Sequence, residues 1–350
     1  IPDGSTINGI TVDIDRKGTS ADIQDRNINL TKTAGVQLGT NKAVAADWGT
    51  TDATSTYGSG SDLWGTTWSE AEIEASGFGL VVCVQTLTGD ANGIASIDYI
   101  NITVTYTLPP PTFEQSAYRF FANANSTDVG ATLASQDTSA TLTSTGSAFR
   151  LRTLVHVGAS QLGTSGQNFK LQFATKSGTC DTGFSGETYA DVTGATAIAY
   201  NNNSTPADGD NLTGNASDPT HGADTIVNQD YEEANNFTNT VAAIPAGQDG
   251  KWDFSLIDNG APASTSYCFR IRKSDDTNID TYTVIPEITT SSGIAPPTLT
   301  FSISDNSIGF GILSAGDDFF ANGAGTGSAT EVEAHTISAS TNGTSGYIIT

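Results

Sequence analysis

"SIDYINITVTYTL", residues 96–108, decides how this chain reads. Ile97, Tyr99, Thr103 and Thr105 alternate with Ile100, Ile102, Val104 and Tyr106, the period of a half-buried strand. The same chemistry recurs on its N-terminal side in "TINGITVDIDRK" (6–17), "QDRNINLTKT" (24–33) and "GFGLVVCVQTL" (77–87). β-Branched and aromatic residues dominate each run, and polar turns separate them. One helical turn is expected at "SEAEIEAS" (69–76), where Ser69 and Glu72 have the spacing of a capping box. Residues 1–108 therefore read as an antiparallel, jelly-roll-like β-sandwich. "IPDGST" runs directly into the apolar strand of Ile7, Ile10, Val12 and Ile14, so this sandwich is expected to lack N-terminal strands.

Two proline-bearing linkers follow, "TLPPPTFE" at 107–114 and "TTSSGIAPPTLT" at 289–300, and consecutive prolines favour extended, semi-rigid spacers. Between them, 112–290 carries "SAYRFFANA", "SAFRLRTLVHVG", "NFKLQFATK", "KWDFSLIDNG", "TSYCFRIRKS" and "TYTVIPEITT". These are alternating strands again, and "STSYCFRIRKSDD" suits the penultimate strand of an immunoglobulin- or fibronectin-like sandwich. A polar insertion at about 200–240 is too long for a hairpin and is expected as a surface excursion. "NQDYEEANNFTN" within it has a helix-like composition. Residues 296–350 read as a partial β-sandwich, truncated at the C-terminus inside the apolar "GYIIT". The predicted fold class is all-β: tandem antiparallel β-sandwiches.

Composition narrows location and partners. The chain carries 38 acidic against 14 basic residues, a formal charge of −24. The excess is spread, with 13 acidic and 5 basic residues in 1–108, then 20 and 9, then 5 and 0. Such a surface repels nucleic acid at long range and offers no basic stripe to offset that. No apolar stretch is long enough for a membrane span. Methionine is absent altogether, which together with the composition points to a processed, exported, extracellular protein.

Three cysteines are present. Cys180 and Cys268 both lie in the middle segment and are expected to pair in an oxidising, extracellular setting. Cys83, inside the apolar "GLVVCVQTL", is expected to be a buried small hydrophobe.

Candidate chemistry is sparse. His156, His221 and His335 are scattered through the sequence without a nucleophile elbow or metal-ligand spacing, and they read as structural. "PADGDNLTGNASD" gathers Asp208, Asp210, Asn211 and Asp218 in one polar loop, a candidate Ca2+ site because hard cations collect oxygen ligands. Solvated turn residues are the competing reading. Trp48, Trp64 and Trp68 cluster in the first module and are candidates for sugar stacking, with core packing as the simpler explanation. No cofactor besides calcium is suggested.

"IPDGSTINGITVDIDR", "DLWGTTWSEAEI" and "IDYINITVTYT" resemble a module recurring in bacterial and phage-associated secreted proteins. "AYRFFANANSTDVGATLASQDT", "WDFSLIDNGAPASTSYCFRI", "SISDNSIGFG" and "EVEAHTISASTN" resemble tandem domains of very large surface proteins predicted for candidate-phylum bacteria. The resemblance implies further sequence on either side, and carries no established chemistry. The expected function is a non-catalytic structural or adhesive segment of an extracellular cell-surface protein or filament. Its partners would be neighbouring copies, adjoining domains of a longer chain, or surface glycans. The alternatives are a carbohydrate-binding module train and a phage fibre or appendage component.

Overall fold

A computed structural model describes residues 1–19, 22–87, 93–293, 299–304, 306–341, 346 and 348. Parts of the second linker (294–298) and most of the closing "GYIIT" lie outside the described residues. The protein is all-β, with several packed sheets. Among the described residues no helix is long and apolar enough to cross a membrane.

The first six strands are β1 (Thr6–Gly18), β2 (Ile23–Thr33), β3 (Val36–Leu38), β4 (Ala53–Ser59), β5 (Gly79–Thr86) and β6 (Ala95–Thr107). They form two three-stranded sheets, ordered β4-β1-β6 and β3-β2-β5. Alternation in β1 places Ile10, Val12 and Ile14 wholly inside, and a register shift between Ile7 and Gly9 brings Ile7 inward too. Opposite them, β2 contributes Ile28 and Leu30 to the same core. The helical turn α1 (Glu70–Glu74) forms as expected, with both bonds of the Ser69–Glu72 capping box present.

The core residues Ile10, Val12 and Ile14 are fully covered. Two expectations need correction here. Strand β6 lies at a sheet edge, so only its Ile102 and Val104 pack on the core while Ile100 and Tyr106 stay exposed. Cys83 is also only partly buried, because β5 is half-covered along most of its length.

The middle segment contains β7 (Thr112–Ala122), β8 (Ala140–Thr141), β9 (Ala148–Gly158), β10 (Asn168–Thr175), β11 (Ala190–Asp191) and β12 (Ile198–Tyr200). It continues with β13 (Ile226–Glu232), β14 (Phe237–Thr238), β15 (Gln248–Asp258), β16 (Ser266–Lys273), β17 (Thr281–Tyr282) and β18 (Glu287–Thr289). One sheet runs β12-β15-β9-β7-β17, with β13 also on β15. The other runs β11-β10-β16-β18-β8, with β14 also on β10. Phe149, Leu151, Val155 and Val157 from β9 meet Phe169, Leu171, Phe269 and Ile271 from the second sheet in one apolar core.

The insertion at 200–240 runs largely at the surface from 201 to 225, as expected, and then turns inward. It supplies β13, which pairs parallel with β15 and is buried from Gln229 to Glu232. Residues 228–232 and 237–238 of "NQDYEEANNFTN" are therefore strand where a helix was expected, because pairing to β15 and β10 overrides local composition. In the last segment β19 (Leu299–Ile303) and β20 (Ile337–Thr341) pair antiparallel. Leu299, Phe301, Ile303, Ile308, Phe310 and Leu313 there are all exposed.

Candidate functional site

The outer face of the β9–β15 ladder is where this protein concentrates its chemistry. Residues alternate across β9, so while Phe149, Leu151 and Val155 face the core, Arg150, Arg152 and His156 face the other way. Across the ladder, Asp253 stands opposite Arg152 and Asp249 opposite His156. A strand face this polar would normally be solvated. Here the segment 201–225 and the loop around 124–127 cover it, and Arg150, Arg152, Asp249 and Asp253 are all buried.

Burial of charge requires pairing, and Arg150, Arg152 and Asp253 are all paired. Arg150 donates from Nε and Nη2 to the two carboxylate oxygens of Asp253, both at 2.8 Å. Arg152 donates to Asp253 at 2.7 Å and to Asp218, which also accepts from Lys251. Spare guanidinium protons reach the carbonyls of Ala124, Ser126 and Thr127 at 3.0–3.1 Å. Burial, then the neighbouring Arg152, lowers the pKa of Lys251.

At the end of the same ladder lies a group of two imidazoles and two carboxylates. His156 sits on β9 and Asp249 on β15, while His221 and Asp224 come from the turn "HGAD", closed by a bond from Asp224 N–H to the His221 carbonyl at 3.1 Å. The His156 Nδ1 lies 3.2 Å from Asp224 Oδ2 and 3.6 Å from Asp249 Oδ2. The His221 Nδ1 lies 3.2 and 3.3 Å from the same two oxygens. All four ligand-type atoms fall within 4.8 Å of one another. Ser116, the extra residue of a bulge in β7, donates to the other Asp249 oxygen at 2.7 Å. Burial raises the Asp249 carboxyl pKa, with Ser116 and the two histidines opposing.

The sequence reading missed this group. His156 and His221 are 65 positions apart with no ligand spacing between them, and only the β13 docking brings the turn over β9. Their ring centroids are 5.1 Å apart, so they are not scattered. His335 lies apart and exposed.

The residues singled out for calcium do not converge. Asp218 is taken by Arg152 and Lys251, Asp210 accepts from Ala207 N–H at 2.8 Å, and Asp208 accepts from Glu233 N–H at 2.6 Å. Asn211 forms an isolated bridge to Asp230. Among the described residues, the one cluster of three or more His, Cys, Asp or Glu side chains close enough to share a metal ion is the histidine–aspartate group.

The three tryptophans are core residues and not a sugar platform. Trp48, Trp64 and Trp68 are 3%, 0% and 8% exposed, which leaves no ring face to stack on a sugar. Their indole N–H groups donate to Asp25, to the Ile10 carbonyl and to the Leu63 carbonyl at 2.9, 2.8 and 3.0 Å. Gly58, at φ +71°, is what lets Trp64 come so close, since a Cβ there would lie 2.6 Å from its Nε1.

Cys180 and Cys268 are disulfide-bonded, with Cα atoms 5.5 Å apart. The bridge fastens the loop after β10 to β16, where Ala174 pairs with Cys268. Comparison with known proteins finds no matching family model, no matching curated protein and no matching solved structure.

Proposed function

We propose that this chain is a non-catalytic structural segment of an extracellular surface protein, one that transmits tension through β-sandwiches in series. The observation that carries this reading is how the entry strand of the middle segment, β7, meets β17, the strand next to its last. Glu114 and Gln115 of β7 pair parallel with Thr281 and Tyr282 of β17. Pulling the two ends apart loads β18 first and, once it parts from β16 and β8, draws β7 and β17 in opposite directions along their shared axis. Every bond between them would then be strained at once, in shear, instead of opening one at a time.

Side chains reinforce the seam. Gln115 is fully buried, donates to the Val284 carbonyl at 2.8 Å and accepts from Ile271 N–H at 2.7 Å. Its own carbonyl accepts from the Thr283 hydroxyl at 3.0 Å and the Thr283 N–H at 3.2 Å. Asp280 accepts from Phe113 N–H at 2.9 Å. The disulfide supports an oxidising compartment. The exposed apolar residues of the last segment support contact with an adjoining domain or a neighbouring copy.

Single-molecule pulling tests the reading. Force applied through the chain ends should unfold the middle segment at a much higher force than handles placed to peel β12 from β15. Gln115→Ala should lower the first force and leave the second nearly unchanged. Equal forces in both directions would overturn the proposal.

A further inference from the structure

We propose that His156, His221, Asp224 and Asp249 form a four-coordinate zinc site that pins the 213–225 segment to the β9–β15 ladder. The distances carry the assignment. Zinc binds imidazole nitrogen and carboxylate oxygen at about 2.0–2.2 Å, so neighbouring ligand atoms of a tetrahedron stand about 3.3–3.6 Å apart. The four nitrogen–oxygen separations here are 3.2, 3.6, 3.2 and 3.3 Å.

A second observation is independent of that spacing. The His156 Nδ1 is buried and has no hydrogen-bond partner, although a carboxylate oxygen lies 3.2 Å away. A nitrogen whose lone pair points at a common centre between two oxygens, and at neither of them, leaves this signature. Charge agrees, because two carboxylates and two neutral imidazoles carry −2, which one divalent cation cancels. The outer shell is present as well. Ser116 occupies one oxygen of Asp249 and leaves the other facing the histidines. Gln248 holds the Thr225 N–H, and the Asp249 N–H reaches the Thr225 carbonyl at 3.2 Å, which fixes the turn beside its ligands.

Two nitrogens and two oxygens suit a borderline ion, whereas calcium would need six to eight oxygens. Four protein ligands complete the tetrahedron, so the site has the closed form of a structural centre. It is distinct from the strand seam proposed to resist force and does not depend on that reading.

The test uses the full chain, stripped with EDTA and titrated with Zn2+ and, separately, Co2+. One zinc per chain should bind and raise the melting temperature, and cobalt should show the intense visible bands of a four-coordinate ion. His221→Ala lies in the turn and removes a ligand without touching the core. Loss of an outer-shell partner alone costs about 10–100-fold in affinity, so this variant should lose more than that. Ser116→Ala should weaken binding by about tenfold while keeping one site. Absence of zinc binding by the native chain would overturn the proposal, leaving only a histidine–aspartate ion cluster. Unchanged affinity in a folded His221→Ala chain would overturn it equally.

Discussion

Arg150 reaches diagonally across the β9–β15 ladder to grip Asp253 with two bonds of 2.8 Å each, and neither side chain is exposed to solvent. Such a pair adds little net stability compared with an apolar replacement, yet breaking one half of it is costly. Asp253 also serves Arg152, so its loss would leave two guanidinium groups short of a partner.

Asp253→Asn should therefore destabilise the middle segment by about 3–5 kcal/mol. Trp252 is its one tryptophan and is fully buried, so urea unfolding followed by its fluorescence measures the change. A loss below about 1 kcal/mol, the scale of an exposed ion pair, would show that the cover over the ladder is open to water.

Asp25 plays the corresponding part in the first module. It accepts from Arg16, from Trp48 Nε1 at 2.9 Å, from the Tyr57 hydroxyl at 2.9 Å and from Val44 N–H at 3.0 Å. Arg16 in turn lies 4.6 Å over the Trp48 ring. Asp25→Ala should cost about 3–5 kcal/mol, read in the first module's tryptophan fluorescence. The unfolding midpoint of the middle segment should stay where it was.

Reduction of the Cys180–Cys268 bridge releases a loop of 88 residues in the unfolded chain. On the chain-entropy account that removes about 4–5 kcal/mol. A Cys180→Ser variant measured in urea should lose a comparable amount, with the first module unaffected.

Stability should also fall as pH rises through the neutral range. Burial, with Asp208 and Asp230 close by, raises the Glu232 carboxyl from 4.5 to about 9. The folded chain thus holds a proton that the unfolded chain releases near 4.5, and this contribution is full below that pH. It drains away as pH climbs toward 9 and amounts to a few kcal/mol. Unfolding midpoints between pH 5 and pH 9 check the slope, which Glu232→Gln should flatten.

What the sequence showed and what it hid follow one rule. Features set by neighbours along the chain were legible: the alternation of β1, the Ser69–Glu72 cap, the strand bearing Cys268. Arg150, Arg152 and His156 also alternate, but alternation says only that they leave the core, not that another segment will cover them. The covering piece, 201–225, is polar for that reason, since Asp218, His221 and Asp224 answer charges on the ladder. Polarity of this kind looks like solvent exposure until the partner is known. The same holds for β13, whose acidic, amide-rich sequence is matched to the buried face beside it.

The seam between Gln115 and residues 283–284 implies an order of events as the chain emerges from the ribosome. At about 5–20 residues per second, the partners of Gln115 follow it by on the order of ten to thirty seconds. Throughout that delay the middle segment has no closing strand, and Cys180 waits for Cys268. The first module has no such wait, because its core residues all precede Thr105. Cys83, the thiol that could compete for Cys180, lies in β5, and every strand of its sheet precedes Cys180 along the chain.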